Sequence, residues 1–429
     1  MHNFAVGLAP RFLRATEAWG KPRGETSKSK FPDLVGSSSP KDPSCTSPDY
    51  PRASMNVLHL FAGNLFGGIE RVGITLASHR ALCPDMHPHF ALCFEGRFST
   101  ELRATGVPIH MLGEVRLGRP WTILSARKRL KQVIREQKIQ TVIAHACWPH
   151  VVGAPVVKAM GIPLIFWAHD ILNGHHWIER WASRTSPALV LANSRLTAKS
   201  IPRVFPGVAV EPQFYPLPAL NMPNRPAVRA RVRAALGAKP DDVVIITACR
   251  MERWKGHTLL LDALGRLRKN PKWVCWIAGG AQRDTEQAYL TELQTAAEQG
   301  DIATRVKFLG QRSDVPELLV AADIHCQPNT GPEPFGIAFV EALYAGLPAV
   351  STAMGGAMEI ISAQCGILTP PDESTELASA LKRLIDHPDE RRALGAFGPQ
   401  QASDLCNPRD TLHDLHRKLE ILLPLESAA

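Results

Sequence analysis

The chain has 429 residues, 45% of them hydrophobic, more than a single core usually supports, so two domains are expected. Its 49 basic and 40 acidic residues leave a charge of +9 spread thinly along the sequence. That balance suits phosphate-bearing small molecules or an anionic membrane surface, and without aromatic interleaving or a recognisable module it gives no support to nucleic acid as a partner.

No uncharged apolar run approaches the roughly 18 residues of a membrane span, and "MHNFAVGLAPRFLR" lacks the long apolar centre of a secretory signal. Nine cysteines, with no C-x-x-C among them, sit in apolar runs such as "FALCFEG" and read as buried thiols of a reducing compartment. The expectation is a cytoplasmic protein, soluble or peripheral at the inner face of a membrane.

Residues 1–54 are rich in Ser, Pro, Lys and Gly and have no apolar period, so they cannot offset their ordering entropy and are read as a disordered extension. Structure is expected to begin at "MNVLHLF". From there "HFALCF", "VPIHML", "TVIAHA", "PLIFWAH" and "LVLANS" read as buried strands, with helices near 69–80, 121–138 and 151–159. Near-continuous apolar strands separated by helices argue for a parallel sheet covered on both faces.

Directly after the first strand comes "GNLFGGIERVG". Gly67 and Gly68 permit close backbone approach, and the helix that follows offers free N–H groups to an anion; a plain strand-to-helix turn is the other reading. The spacing is not G-x-G-x-x-G, and no G-K-[ST] follows a Gly-rich loop. The helix at 121–138 carries Arg127, Lys128, Arg129, Lys131, Arg135 and Lys138, with Leu124, Leu130, Val133 and Ile134 toward a core. Its basic side suits either plain solvation or contact with anionic lipid. "WAHDILNGHHW" then puts His169 and Asp170 at the end of a strand, where His169 is either a structural imidazole or a group addressing substrate; His175 and His176 read as surface residues.

Six prolines in "FPGVAVEPQFYPLPALNMPNRP" mark a linker between domains. Beyond it "DVVIITACR", "KWVCWIAGG", "RVKFLG", "DIHCQP" and "LPAVST" are strands, with helices near 257–268, 285–298, 314–321, 337–346 and 374–386. The fold class is therefore α/β, two doubly wound Rossmann-like domains facing a cleft. The expected boundaries are 55–212 for the first, 213–405 for the second, and 406–429 for a terminal helical segment.

Ligands of open parallel sheets bind beyond the carboxyl ends of the strands, and two further motifs lie there. In "ACRMERWKGH", Arg250 ends a strand and Lys255 follows one turn later. Either they are surface cations, or a guanidinium fork and a mobile ammonium hold adjacent phosphates, with Arg253 able to share the task. In "GPEPFGIAFVEALYAGLP", Gly336 opens a helix at Ile337 whose amides suit phosphate, beside Phe335. Glu333 and Glu341, eight residues apart, could accept from the vicinal diols of a sugar and a ribose; the plainer alternative is a loop acid and a helix-dipole partner. No Cys/His cluster has metal-ligand spacing and no D-x-D occurs, so no metal and no cofactor is expected.

Taken in order, "GGIERV", "HD", "ANSRLTA", "RMERWKG", "VKFLGQRSDVPELLVAADIHCQPN", the E-x7-E of "EPFGIAFVE" and the tail "GILTPPDESTELASALKRLIDHPDERRALG" are similar to the retaining glycosyltransferases of family 4, also called group 1, from Met55 to about Leu423. That resemblance implies the two-domain GT-B fold and a nucleotide-diphosphate sugar as donor. Arg250 and Lys255 would bind its diphosphate, Glu341 its ribose and Glu333 the transferred hexose. Amides near Gly336 and Ile337, and Gly68 from the other half, would help the phosphates, with His169 beside sugar and acceptor. Asn329 and Thr330 depart from the small residues common in the family, which bears on sugar choice.

The implied reaction is metal-independent hexose transfer to a hydroxyl of a glycan or lipid-linked acceptor, in envelope or exopolysaccharide synthesis. A terminal helix near 408–421 would cross back onto the first domain. Rival readings are a nucleotide-sugar epimerase of the same fold and a catalytically silent sugar-nucleotide-binding subunit; a phosphorylase would need a pyridoxal phosphate lysine, for which there is no clear candidate.

Overall fold

The computed structural model describes Ser54–Leu423 apart from Leu65 and Gln282, so the disorder expected over 1–54 lies outside the described residues except at Ser54. Seven strands form the first sheet: β1 (Met55–Phe61), β2 (Met86–Leu92), β3 (Ile109–Met111), β4 (Thr141–His145), β5 (Leu164–Ala168), β6 (Leu189–Ala192) and β7 (Val210–Pro212). Their spatial order is β3-β2-β1-β4-β5-β6-β7, parallel throughout. The second sheet holds β8 (Val243–Ala248), β9 (Trp273–Ala278), β10 (Val306–Gly310), β11 (Ile324–Gln327), β12 (Ala349–Thr352) and β13 (Gly366–Thr369). It runs β10-β9-β8-β11-β12-β13, also parallel. Two doubly wound α/β units are thus present, as the alternation of apolar strands and helices requires.

The inner strands are largely apolar on both faces because helices cover both. Phe61, Ile143, Ile165 and Trp167 belong to one buried cluster, whereas Leu58, Leu60, Val142 and Ala144 belong to another. In each sheet the strand order reverses once, between β1 and β4 and between β8 and β11. Those two switch points open a crevice at the strands' carboxyl ends.

Two local expectations are corrected. The Pro-rich stretch 205–226 is not simply a linker: Val210–Pro212 forms β7, where Pro212 is tolerated because the strand lies at the sheet edge. Tyr215 and Leu217 then enter an apolar cluster shared with Phe335, Phe339 and Leu415, so the crossing segment is packed on both sides. On the helix Pro120–Glu136 the buried stripe is Ile123, Ala126, Leu130 and Ile134, spaced three, four and four residues apart. Leu124, expected inside, falls off that stripe and is 64% exposed.

The terminal helix Pro408–Glu420 packs on the first half, against the helix Gly68–Ser78 and the turn Arg80–Leu82. Gln213 anchors it there, donating from Nε2 to the Thr411 carbonyl at 3.1 Å and accepting from Lys418 Nζ at 3.1 Å.

Candidate functional site

The second-half wall of the crevice is made by the segments that follow β8 and β11. After β8 the chain passes Arg250, turns through Arg253–Lys255 and enters the helix His257–Arg266 at Gly256. Gly256 has φ +77°, and a Cβ there would lie 1.7 Å from the Pro328 carbonyl, so only glycine lets the Lys255 turn close onto the segment after β11. Lys255 is thereby driven inward. Its Nζ lies 2.5 Å from Glu333 Oε2, with side chains only 10% and 13% exposed, and sits 4.0 Å above the Trp254 ring.

Glu333 is held by more than this ion pair. The same oxygen, Oε2, accepts from Gln327 Nε2 at 3.0 Å and from Asn329 Nδ2 at 3.4 Å. Its backbone carbonyl accepts from the Gly356 amide at 2.7 Å. Lys255, expected as a mobile point charge, is instead a buried cation already neutralised by Glu333. Arg250 is different: its side chain is 61% exposed and it pairs with Glu252 at 2.9 Å, free to swing toward a ligand.

The helix Ile337–Ala345 starts at Gly336, whose φ of +110° is open to glycine and which packs on the Phe339 ring. Its amino end meets that of the helix Gly68–Ser78 from the first half: a Cβ at Gly68 would lie 3.1 Å from Ile337 Cδ1. Two helix amino ends, each with partial positive charge, therefore converge across the crevice. At Gly67 the backbone N–H is taken by Glu70 Oε2 at 2.8 Å, and burial pushes the Glu70 carboxyl above its ordinary value. Glu341, one turn into its helix, is not free either: Arg71 of the first half forms an ion pair with it. Of the expected groups, the structure brings together Lys255 with Glu333 and Gly68 with Ile337, while Glu333 and Glu341 engage different cations.

Opposite stands the end of β5. Asp170 is open to solvent, yet the surrounding protein raises its carboxyl pKa, with the Arg250 guanidinium pulling the other way. Among the described residues no three His, Cys, Asp or Glu side chains converge as a metal ligand set.

With this geometry in place the comparisons with known proteins decide the family. The description "Glycosyl transferases group 1" matches residues 228–401, and "Glycosyltransferase Family 4" matches residues 66–210. The chain belongs to the group 1 glycosyltransferases.

Among solved structures, HepE of Anabaena in complex with UDP superposes with a TM-score of 0.75 at 26% identity, over 86% of this chain and 100% of that one. Its complex with UDP-glucose gives 0.73 over the same shares. Among curated relatives, the human alpha-1,3/1,6-mannosyltransferase ALG2 is 27% identical over 58% of this chain and 61% of its own length. The D-inositol 3-phosphate glycosyltransferase of Saccharomonospora viridis is 31% identical over 45% and 47%. The chain thus spans about half to three fifths of the length of these relatives.

Within this group 1 frame, the surroundings of His169 match the first of its two readings, a structural imidazole. It is buried, and both ring nitrogens are engaged: Nε2 with His145 Nδ1 at 3.0 Å and Nδ1 with the Tyr215 hydroxyl at 2.7 Å. His145 Nε2 in turn meets His59 Nδ1 at 3.0 Å, and Asn193 Nδ2 donates to the Tyr215 hydroxyl at 2.9 Å. Burial holds His59 and His169 down to a pKa of about 3 and His145 well below its ordinary value, so the three imidazoles are neutral. His169 is thus one link in a buried file. Since Asn193 already donates to Tyr215, the phenolic proton points to His169 Nδ1, which places the His169 proton on Nε2 and orders the tautomers behind it.

Tyr215 also sets its ring edge-on to Phe335, centroids 4.8 Å apart, and so touches the loop carrying Glu333. Arg71, Tyr215, Gln327, His59 and His145 were absent from the sequence-derived set. The available signal was a polar residue inside an otherwise apolar strand, as in "LHLF", "IAHA" and "IHCQ".

Proposed function

We propose that this chain transfers a hexose from a nucleoside-diphosphate sugar to a hydroxyl of a glycan or lipid-linked acceptor, with retention of configuration and without a metal. The observation that carries this reading is the meeting of two helix amino ends beside a buried Lys255–Glu333 pair, with the exposed Arg250 at the rim. It draws support from the UDP and UDP-glucose complexes named for HepE and from the sugar transfers named for the curated relatives.

In this reading Arg250, Lys255 and the amides at Gly336, Ile337 and Gly68 balance the departing diphosphate, and the Gly67 N–H joins them only by exchanging Glu70 for a phosphate oxygen. Glu341 exchanges Arg71 for the ribose diol, Phe335 packs the donor loop, and Glu333 accepts from the hexose beside His169. Breaking the anomeric bond develops negative charge on the diphosphate, and prearranged cations and helix ends stabilise it without reorganisation.

Thermal melting against free nucleoside diphosphates and their sugars tests the reading, because a ligand selective for the folded state raises the melting temperature. One nucleoside diphosphate should stabilise the protein; no shift with any, or donor conversion without an acceptor, would count against sugar transfer. For Glu341→Ala, titration calorimetry should find affinity for that free diphosphate lowered by about tenfold, the scale of one hydrogen bond to a charged group. Unaltered affinity would remove Glu341 from the ribose.

The acceptor side carries a second expectation. Arg127 is tied to the Val151 and Val152 carbonyls and Arg129 to Leu112, which leaves Lys128, Lys131 and Arg135 exposed on the helix Pro120–Glu136 together with Trp121, 65% exposed, and Leu124. An exposed Trp–Leu pair beside cations with no ion-pair partner among the described residues suits peripheral contact with anionic lipid. No helix among the described residues is long and apolar enough to cross a membrane. Co-sedimentation with phosphatidylglycerol vesicles should exceed that with phosphatidylcholine and should fall at least fivefold in the Trp121→Ala, Leu124→Ala double variant, the loss of two inserted side chains. Equal sedimentation of the two proteins would rule this contact out.

A further inference from the structure

Strand β11 ends in a residue whose chemistry is unusual for its place. Gln327 is fully buried, as is Asn329 two residues on, where an apolar side chain would pack without any hydrogen-bonding debt. Gln327 Nε2 donates to Asn329 Oδ1 at 3.0 Å and to Glu333 Oε2 at 3.0 Å, while Asn329 Nδ2 reaches the same carboxylate oxygen. Both partners of the Gln327 amide are acceptors, so its nitrogen must face them and its orientation is fixed. The consequence is a buried Oε1 on Gln327 with no partner among the described residues.

An orphaned buried acceptor costs free energy, so its surroundings are where a compensating gain is sought. What is gained is visible at Glu333. Three donors, from Lys255, Gln327 and Asn329, converge on Oε2, and none reaches Oε1 among the described residues. The support is rigid, because the Ser351 hydroxyl donates to the Gln327 carbonyl at 2.8 Å and the Thr352 hydroxyl to the Asn329 carbonyl at 2.5 Å, both from the neighbouring strand β12. One carboxylate oxygen is bolted to the sheet; the other keeps its full accepting capacity in one fixed direction.

We propose that Gln327, seconded by Asn329, is a positioning residue that aims Glu333 Oε1 and thereby sets which hydroxyl configuration of the donor sugar is accepted. A carboxylate free to rotate would follow a hydroxyl displaced by epimerisation. One held in a single rotamer loses the hydrogen bond and leaves Oε1 unpaired, the situation in which polar sites discriminate most strongly. The inference rests on the reading of Glu333 as the group that contacts the transferred hexose.

The test compares Gln327→Leu and Gln327→Met with Glu333→Gln. The readouts are kcat and KM for two donors epimeric at one ring hydroxyl, UDP-glucose against UDP-galactose or GDP-mannose against GDP-glucose according to the nucleotide accepted, and the Kd of the free nucleoside diphosphate.

Both Gln327 variants should bind the free diphosphate within about twofold of the parent, which also reports that they are folded, while the preference between epimers, taken as the ratio of kcat/KM, falls about tenfold. Either variant alone suffices if the other does not fold. Loss of preference in Glu333→Gln but not in the Gln327 variants overturns the clamp and spares the reading beneath it. Full preference in Glu333→Gln overturns that reading and the proposal with it. A loss of diphosphate affinity equal to the loss of kcat/KM in the Gln327 variants also overturns the proposal, since it signals general damage to the site.

Discussion

Lowering the pH from 8 to 5 is expected to remove most of the folding stability of this chain. Six buried imidazoles are kept neutral by the fold. Desolvation holds His59 and His169 to a pKa of about 3, and His150, His257 and His325 to about 4, with His145 also held well below its ordinary value. In the unfolded chain each titrates near 6.5. Between the folded and unfolded values the unfolded state binds more protons, so stability rises with pH; it is complete above the unfolded value and is lost as the pH falls below it. Each of the five with a stated value forfeits about 2 kcal/mol between pH 8 and pH 5, together roughly 10 kcal/mol, the size of a whole domain's stability. Melting followed by tryptophan fluorescence across that range should show a steep acid limb, and a flat profile would mean the imidazoles are hydrated in solution.

His325 supplies the internal control. Neither ring nitrogen has a partner among the described residues, and it lies edge-on to Phe339. His325→Leu should therefore stabilise the protein by about 1–3 kcal/mol at pH 7 and flatten the acid limb, because an orphaned polar group costs more than the apolar side chain that replaces it.

Lys255→Ala is expected to do the greatest harm to both folding and transfer. Removing the ammonium leaves the Glu333 carboxylate almost enclosed with only two amide donors, and breaking a buried pair from one side costs about 3–5 kcal/mol. On the proposed reading the same change also deletes a fixed cation from the diphosphate side, where loss of one such group lowers turnover about 100- to 1000-fold. The two effects can be separated. Lys255→Met with Glu333→Gln removes both charges and should recover most of the stability in urea denaturation while transfer stays lost. Recovery of both would show that the pair only holds the fold, and Lys255→Arg restoring full activity would exclude the compact-cation role.

How much of this was readable beforehand differs by element. The strand "MNVLHLF" is β1 residue for residue, because a short, mostly apolar run straight after a polar stretch is too short for a helical period to compete. Gly336 and Ile337 were legible as a helix start for the same local reason. The Pro-rich crossing misled because prolines report on backbone freedom alone: they could not show that Tyr215 lies between His169 and Phe335. The buried file was hidden because His59 and His145 lie on separate strands and His169 just past the end of a third, and only the β1–β4–β5 register brings them to one face. Lys255 and Glu333 were each identified, but not as partners, since 78 residues separate them and it is the Gly256 turn that closes the distance.

The junction at Gly68 and Ile337 has a mechanical consequence. Two helix termini of like partial sign push apart, so drawing the lobes together at that point is uphill in the absence of a counter-ion. The cross-lobe bridge from Arg71 to Glu341 answers only part of that cost and must itself open if a ribose is to reach Glu341. A pyrophosphate wedged between the two termini turns repulsion into adhesion. On the proposed reading of the donor, the enclosure would be fastened by the charged half of the substrate, and a free sugar, lacking that charge, would not latch it.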